Sequence, residues 1–254
     1  MSMQGRARYW RWVACLVFAI AGAQGALAAG YERLSRYSEN VLKNCNLTDS
    51  SLNTKCRVAS LPGESGYVLV ASRSAPLIYN DVIIGTLYEK VWRKALQPKL
   101  YIFGMRVVMN DEQWDASGKA FNVNDLFRQT LPNRRVSIAY YQADATKALR
   151  RSGRTVQGLN EYEGDEPERN NTWVDFRVDV NAADPDGVSS PKSPWLLTKT
   201  RAPAGIVLNA LGIRVLNSDV PDILDAVEFF TAGYQPDGVP PPEDDDDDDD
   251  EDDE

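Results

Sequence analysis

Histidine is absent from the 254 residues. Its absence removes the Ser-His-Asp and Cys-His catalytic arrangements and the usual histidine-bearing catalytic zinc site. A Gly-rich loop followed by Lys-Ser/Thr is also missing, which excludes a phosphate cradle of that type. Beyond the N-terminal region no run is apolar and long enough to span a bilayer as a helix, so no transmembrane segment is expected after it. Cysteine is scarce, with only three in the chain.

What the chain does hold begins with its ends. Residues 1–12 carry Arg6, Arg8 and Arg11 and no acid, 13–21 are apolar, and Ala26-Leu-Ala28 follows. A basic start, a short apolar core and an Ala-x-Ala site predict a secretory signal peptide over 1–28, cleaved before Ala29. The expected product is secreted, extracellular or periplasmic. At the other end, 243–254 is an unbroken run of Asp and Glu, which no core can bury; it reads as a solvated, self-repelling tail. The tail accounts for the excess of 37 acidic over 28 basic residues. With tail and leader set aside, acids and bases balance. A neutral body and an acidic tail argue against nucleic-acid binding. The clusters Arg134-Arg135 and Arg150-Arg151 with Arg154 therefore read as solvated faces with local ion pairs. Residues 236–254 form a Pro-rich linker and tail, the prolines holding the acidic run away from the domain.

Between the ends, 29–235 is expected to be one domain. Cys45 and Cys56 flank a polar, turn-rich loop and, in an exported protein, should pair as a disulfide. Residues 67–71, 82–93, 99–109, 135–141, 173–180, 195–200 and 206–216 read as strands, with Pro203-Ala-Gly205 as a turn. The 82–93 and 99–109 segments should form a long antiparallel pair, with Gly85 and Gly104 at bulges or close approaches. In 173–180, Val174, Phe176, Val178 and Val180 share a core face, leaving Trp173, Asp175, Arg177 and Asp179 on a solvent face. Short helices are expected over 31–42, 123–130, 143–151 and 221–230. The fold class is thus mostly β: an antiparallel β-sandwich or jelly roll with a few short helices.

Three constellations bear on chemistry. Asp179, Asn181, Asp184 and Asp186 leave a strand into a Pro-Asp-Gly turn and could offer calcium its hard oxygen ligands. The spacing misses the EF-hand template, and an ordinary surface turn uses the same residues. Trp114 and Trp173, with Trp92, Trp195, Tyr140 and Tyr141, could line a sugar-binding face if exposed, or fill the core. Carboxylate-based glycan cleavage needs only two facing carboxylates, for which Glu112, Asp115, Asp175 and Asp179 are available.

Residues 82–92 (Val-Ile-Ile-Gly-Thr-Leu-Tyr-Glu-Lys-Val-Trp) and 100–106 (Leu-Tyr-Ile-Phe-Gly-Met-Arg) resemble the long paired strands of secreted bacterial β-rich surface proteins of the PEP-CTERM and choice-of-anchor kind. The resemblance implies a surface or extracellular domain and no particular activity. The chain lacks the Pro-Glu-Pro motif, terminal apolar helix and basic end of their sorting tail. The expectation is a noncatalytic domain that binds a glycan or an extracellular protein, or builds a surface layer. The alternatives are a calcium-dependent carbohydrate-binding module and a glycan-cleaving enzyme.

Overall fold

Strand-forming segments dominate the chain, and the computed structural model assembles eleven of them into two antiparallel sheets. It describes residues 30–34, 56–114, 120–142, 149–154, 170–183, 190–217 and 226–238. The strands are β1 (Glu32–Arg33), β2 (Tyr67–Tyr79), β3 (Val82–Lys94), β4 (Leu100–Met109), β5 (Val123–Gln129) and β6 (Val136–Tyr141). They continue with β7 (Leu149–Gly153), β8 (Trp173–Val180), β9 (Trp195–Arg201), β10 (Ile206–Asn217) and β11 (Val227–Pro236). One sheet runs β1-β6-β9-β4-β3-β2, the other β11-β10-β5-β8-β7. The two pack face to face as a β-sandwich.

The core follows from the period of two. Leu77, Leu87, Met105, Val107, Leu196, Ile138 and Tyr140 from the first sheet meet Leu126, Val174, Phe176, Val178, Ile213 and Val215 from the second in one buried cluster. In β8 the alternation places Val174, Phe176, Val178 and Val180 inside, as the sequence implies. Its other face departs from expectation, since Trp173 and Asp175 are buried too. A second apolar layer lies outside the first sheet, where Trp92, Ile102, Ala139, Trp195 and Leu197 pack with Val58, Leu61 and Tyr67.

β3 and β4 pair in continuous register from Gly85↔Met109 to Arg93↔Tyr101. Both expected close approaches are present: a Cβ on Gly85 would lie 2.7 Å from the Val108 carbonyl oxygen, and one on Gly104 3.0 Å from Trp92. β2 and β3 are joined by Asn80 and Asp81, both at positive φ (48° and 62°), the backbone of a two-residue type I′ turn.

The expected short helices do not form among the described residues. Residues 123–129 are strand β5, 149–153 are β7, and 227–230 open β11. Glu32 and Arg33, at the start of the expected first helix, form β1 and pair with β6; 35–42 lie outside the described residues. The reason is clearest in β5. Val123, Leu126 and Phe127 have helical spacing, but Leu126 packs into the main core while Phe127 packs outward against Trp173 and Leu216. A strand covered on both faces loses its alternation, so the pattern misleads.

Candidate functional site

Strand ends bring together charges that are far apart in the chain. Arg134 and Arg135 precede β6, Arg201 closes β9, Lys99 precedes β4, and Arg93 and Lys94 close β3. Val136 pairs with Thr200, Leu100 with Arg201, and Tyr101 with Arg93. The register therefore sets these cations side by side on four neighbouring strands at one end of the sandwich. Strands lie about 4.8 Å apart, so the array is roughly 15 Å wide. Arg93, Lys99, Arg134, Arg135 and Arg201 are exposed, and none forms an ion pair with a described residue. Lys94 is half-buried, donating to the Ser65 carbonyl oxygen at 2.8 Å with its ammonium over the Tyr67 ring.

A cleft of about 430 Å³ lies within this array, lined by Gln97, Pro98, Lys99, Leu100 and Arg201. A turn forms one wall, with Leu100 N–H donating to the Gln97 carbonyl oxygen at 2.8 Å, and across the strands Ala202 N–H donates to that of Lys99 at 2.9 Å. Leu96, at the tip of the β3–β4 turn, is 93% exposed. Val68 and Leu69 on the edge strand β2, and Val207 and Leu208 on β10, add exposed apolar surface at the same end. Among the described residues, the acids there include Glu64, which is paired with Lys199, and Asp237. The opposite end, about 33 Å away along β4, carries, among the described residues, exposed Asp81, Asp111 and Glu112 together with Lys192 and Arg57. Exposed cations thus gather, among the described residues, at one end of the first sheet.

The sequence-level candidates fall elsewhere. Trp173 is 3% exposed and packs edge-on against Phe127, and Trp114 is half-buried against Tyr79 and Phe121. They fill the interior and do not form an open platform; for Trp173 this corrects the expected solvent face. Asp179 ends β8, and the Asn181 side-chain oxygen accepts the Ala183 N–H at 2.9 Å, an Asx turn. Asp184 and Asp186 lie outside the described residues, as do Asp115 and Cys45. Cys56 is fully buried.

One carboxylate pair does assemble. Asp175 on β8 hydrogen-bonds Asp125 on β5, Arg177 Nη1 lies 2.7 Å from Asp125 Oδ2, and Arg214 stands nearby. Burial first, and the neighbouring Asp125 charge second, push the Asp175 carboxyl well above its usual value. Both side chains are sealed from solvent, so a polysaccharide cannot reach them.

Arg93, Lys99 and Arg201 give no local signal of cooperation in the sequence; the available hint is that each flanks a turn. Asp125, within a segment expected to be helical, is instead a strand residue. Among the described residues no three His, Cys, Asp or Glu side chains converge as a metal site, and no helix is long and apolar enough to cross a membrane. Comparison with known proteins finds no matching family, curated protein or solved structure.

Proposed function

We propose that the chain is exported by its N-terminal signal and acts outside the cytoplasm as a noncatalytic binding domain for an acidic polysaccharide. The binding face is the basic end of the sandwich. One observation carries the reading: five exposed cations that form no ion pair with a described residue, Arg93, Lys99, Arg134, Arg135 and Arg201, sit on adjacent strand ends, and Lys99 and Arg201 line a cleft there. Cations spaced along a row of strand ends suit a linear polymer whose negative charges repeat. A like-signed cleft with low-dielectric walls also concentrates such a ligand. The buried state of Asp125 and Asp175 supports a noncatalytic role. Pairing of Cys45 with the buried Cys56 belongs to the same reading, because export supplies the oxidising compartment.

The test is binding of labelled oligogalacturonate by fluorescence anisotropy in 50 mM NaCl, with a neutral dextran oligomer alongside. The acidic oligomer binds, the neutral one does not, and raising the salt weakens binding as screening sets in. Changing Arg93, Lys99 and Arg201 together to Gln lowers affinity about tenfold, three exposed charge contacts being worth roughly 0.2–1 kcal/mol each. Equal binding of dextran, unchanged affinity in the triple variant, or binding of phosphatidylglycerol vesicles in place of the oligomer overturns the proposal.

A further inference from the structure

The C-terminal strand leaves the sandwich at this same basic end. Pro236 pairs with Ile206, and Asp237 N–H donates to the Gly205 carbonyl oxygen at 3.0 Å. Gly205 N–H in turn donates to the Ala202 carbonyl oxygen at 3.1 Å, and Ala202 N–H to that of Lys99 at 2.9 Å. Three backbone hydrogen bonds therefore tie the exit point of the chain to the wall of the cleft. Only 239–242, Val-Pro-Pro-Pro, separate Gly238 from the acidic run at 243–254. At about 3.1 Å per residue a polyproline spacer of that length reaches roughly 12 Å. The acidic run itself can extend about 40 Å, more than twice the width of the cation array. A spacer of that length can bring the first acids to the margin of the face, and the remainder is long enough to cross it.

We propose that residues 243–254 dock on the basic end of their own domain and occlude the cleft as an intramolecular stand-in for the acidic ligand. The proposal rests on the reading of this end as an anion-binding face and adds its regulation. Charge complementarity selects the occupant: the most acidic segment of a chain of net charge −9 is tethered beside exposed cations that form no ion pair with a described residue. A short tether gives an effective concentration in the millimolar range, so even a weak contact is substantially occupied. Occupancy falls with ionic strength, because both partners are solvent-facing charges. An external polyanion of higher affinity displaces the run.

Two measurements on the full chain test this. Zero-length carbodiimide coupling links an ammonium to a carboxylate it touches. In 50 mM NaCl, mass spectrometry of monomeric protein should find Lys99 joined to residues of 243–254. The link should disappear at 0.5 M NaCl and when Arg93 and Arg201 are changed to Gln. Links to Lys192 at the opposite end in equal yield, or links found only between two copies, overturn the proposal. In the second measurement the acids of 243–254 are replaced by Asn and Gln within the full-length chain. Affinity for labelled oligogalacturonate then rises about five- to tenfold in 50 mM NaCl, the range expected when a millimolar intramolecular competitor is removed. If both proteins bind the oligomer equally, the occlusion is refuted while the binding face stands. If neither binds it yet the Lys99 link persists, the docked tail stands and the polysaccharide reading fails.

Discussion

Asp175 lies on β8 with its carboxyl hydrogen-bonded to Asp125 and no exposure to solvent. Burial and the adjacent carboxylate both disfavour its ionised form; Arg177 and Arg214 oppose them. The folded chain therefore holds a proton that the unfolded chain releases near 3.8. Where the native state binds more protons, stability falls as pH rises. The contribution of this group is fully present below the unfolded value and is lost as pH climbs toward the raised, folded one. Asp175→Asn keeps the shape and removes the titration. Its melting temperature relative to the wild type should rise steadily as pH increases from 4 toward neutrality. A constant difference across that range would show that Asp175 is ionised in the fold.

Among the strands, β3 and β4 are held closest where glycine permits it. A methyl on Gly85 would meet the Val108 carbonyl oxygen at 2.7 Å and the Met109 Cα at 3.1 Å, both main-chain atoms that cannot swing aside. Gly85→Ala should cost about 1–3 kcal/mol, the usual range for overpacking. Urea unfolding should report it as a lowered midpoint at unchanged slope. This site was legible as a close approach because glycine interrupts an otherwise branched and aromatic run. β5 was not legible. Its apolar residues point to both faces, so 123–130 imitates a helix. β8 was half legible: its inner face alternates cleanly, but the burial of Trp173 and Asp175 depends on what covers the outer face.

At the scale of the molecule, the two sheets are joined by charge as well as by apolar packing. Glu89 on β3 accepts from Arg128 on β5 at 2.8 Å and from the Tyr234 N–H on β11 at 3.1 Å, and pairs in charge with Arg73 on β2 at 3.3 Å. Arg128 also donates to the Tyr234 carbonyl oxygen, and Arg73 to that of Ala232. Arg128 and Glu89 are buried, and desolvation lowers the Arg128 pKa against the opposing pull of Glu89. Glu89→Ala strands the Arg128 charge inside and should cost about 3–5 kcal/mol in equilibrium unfolding. Replacing both residues, Glu89→Leu with Arg128→Met, should cost less than that single change, since no unpaired charge remains. A double variant as unstable as the single one would mean that the pair's hydrogen bonds, and not its charge balance, hold the sheets together.

Strand identity over most of the body, the long β3–β4 pair and the inner face of β8 are properties of neighbouring residues. Alternation of side chains and the placement of Gly and Pro act over a few positions, so they can be read along the chain. The grouping of Arg93, Lys99, Arg134, Arg135 and Arg201, the inter-sheet contact of Glu89 with Arg128, and the Asp125–Asp175 pair cannot be read that way. Each depends on which strands become neighbours and in what register, which is settled by the collective packing of two sheets. A body with balanced charge in its sequence can therefore gather exposed cations at one end once its strands are laid side by side.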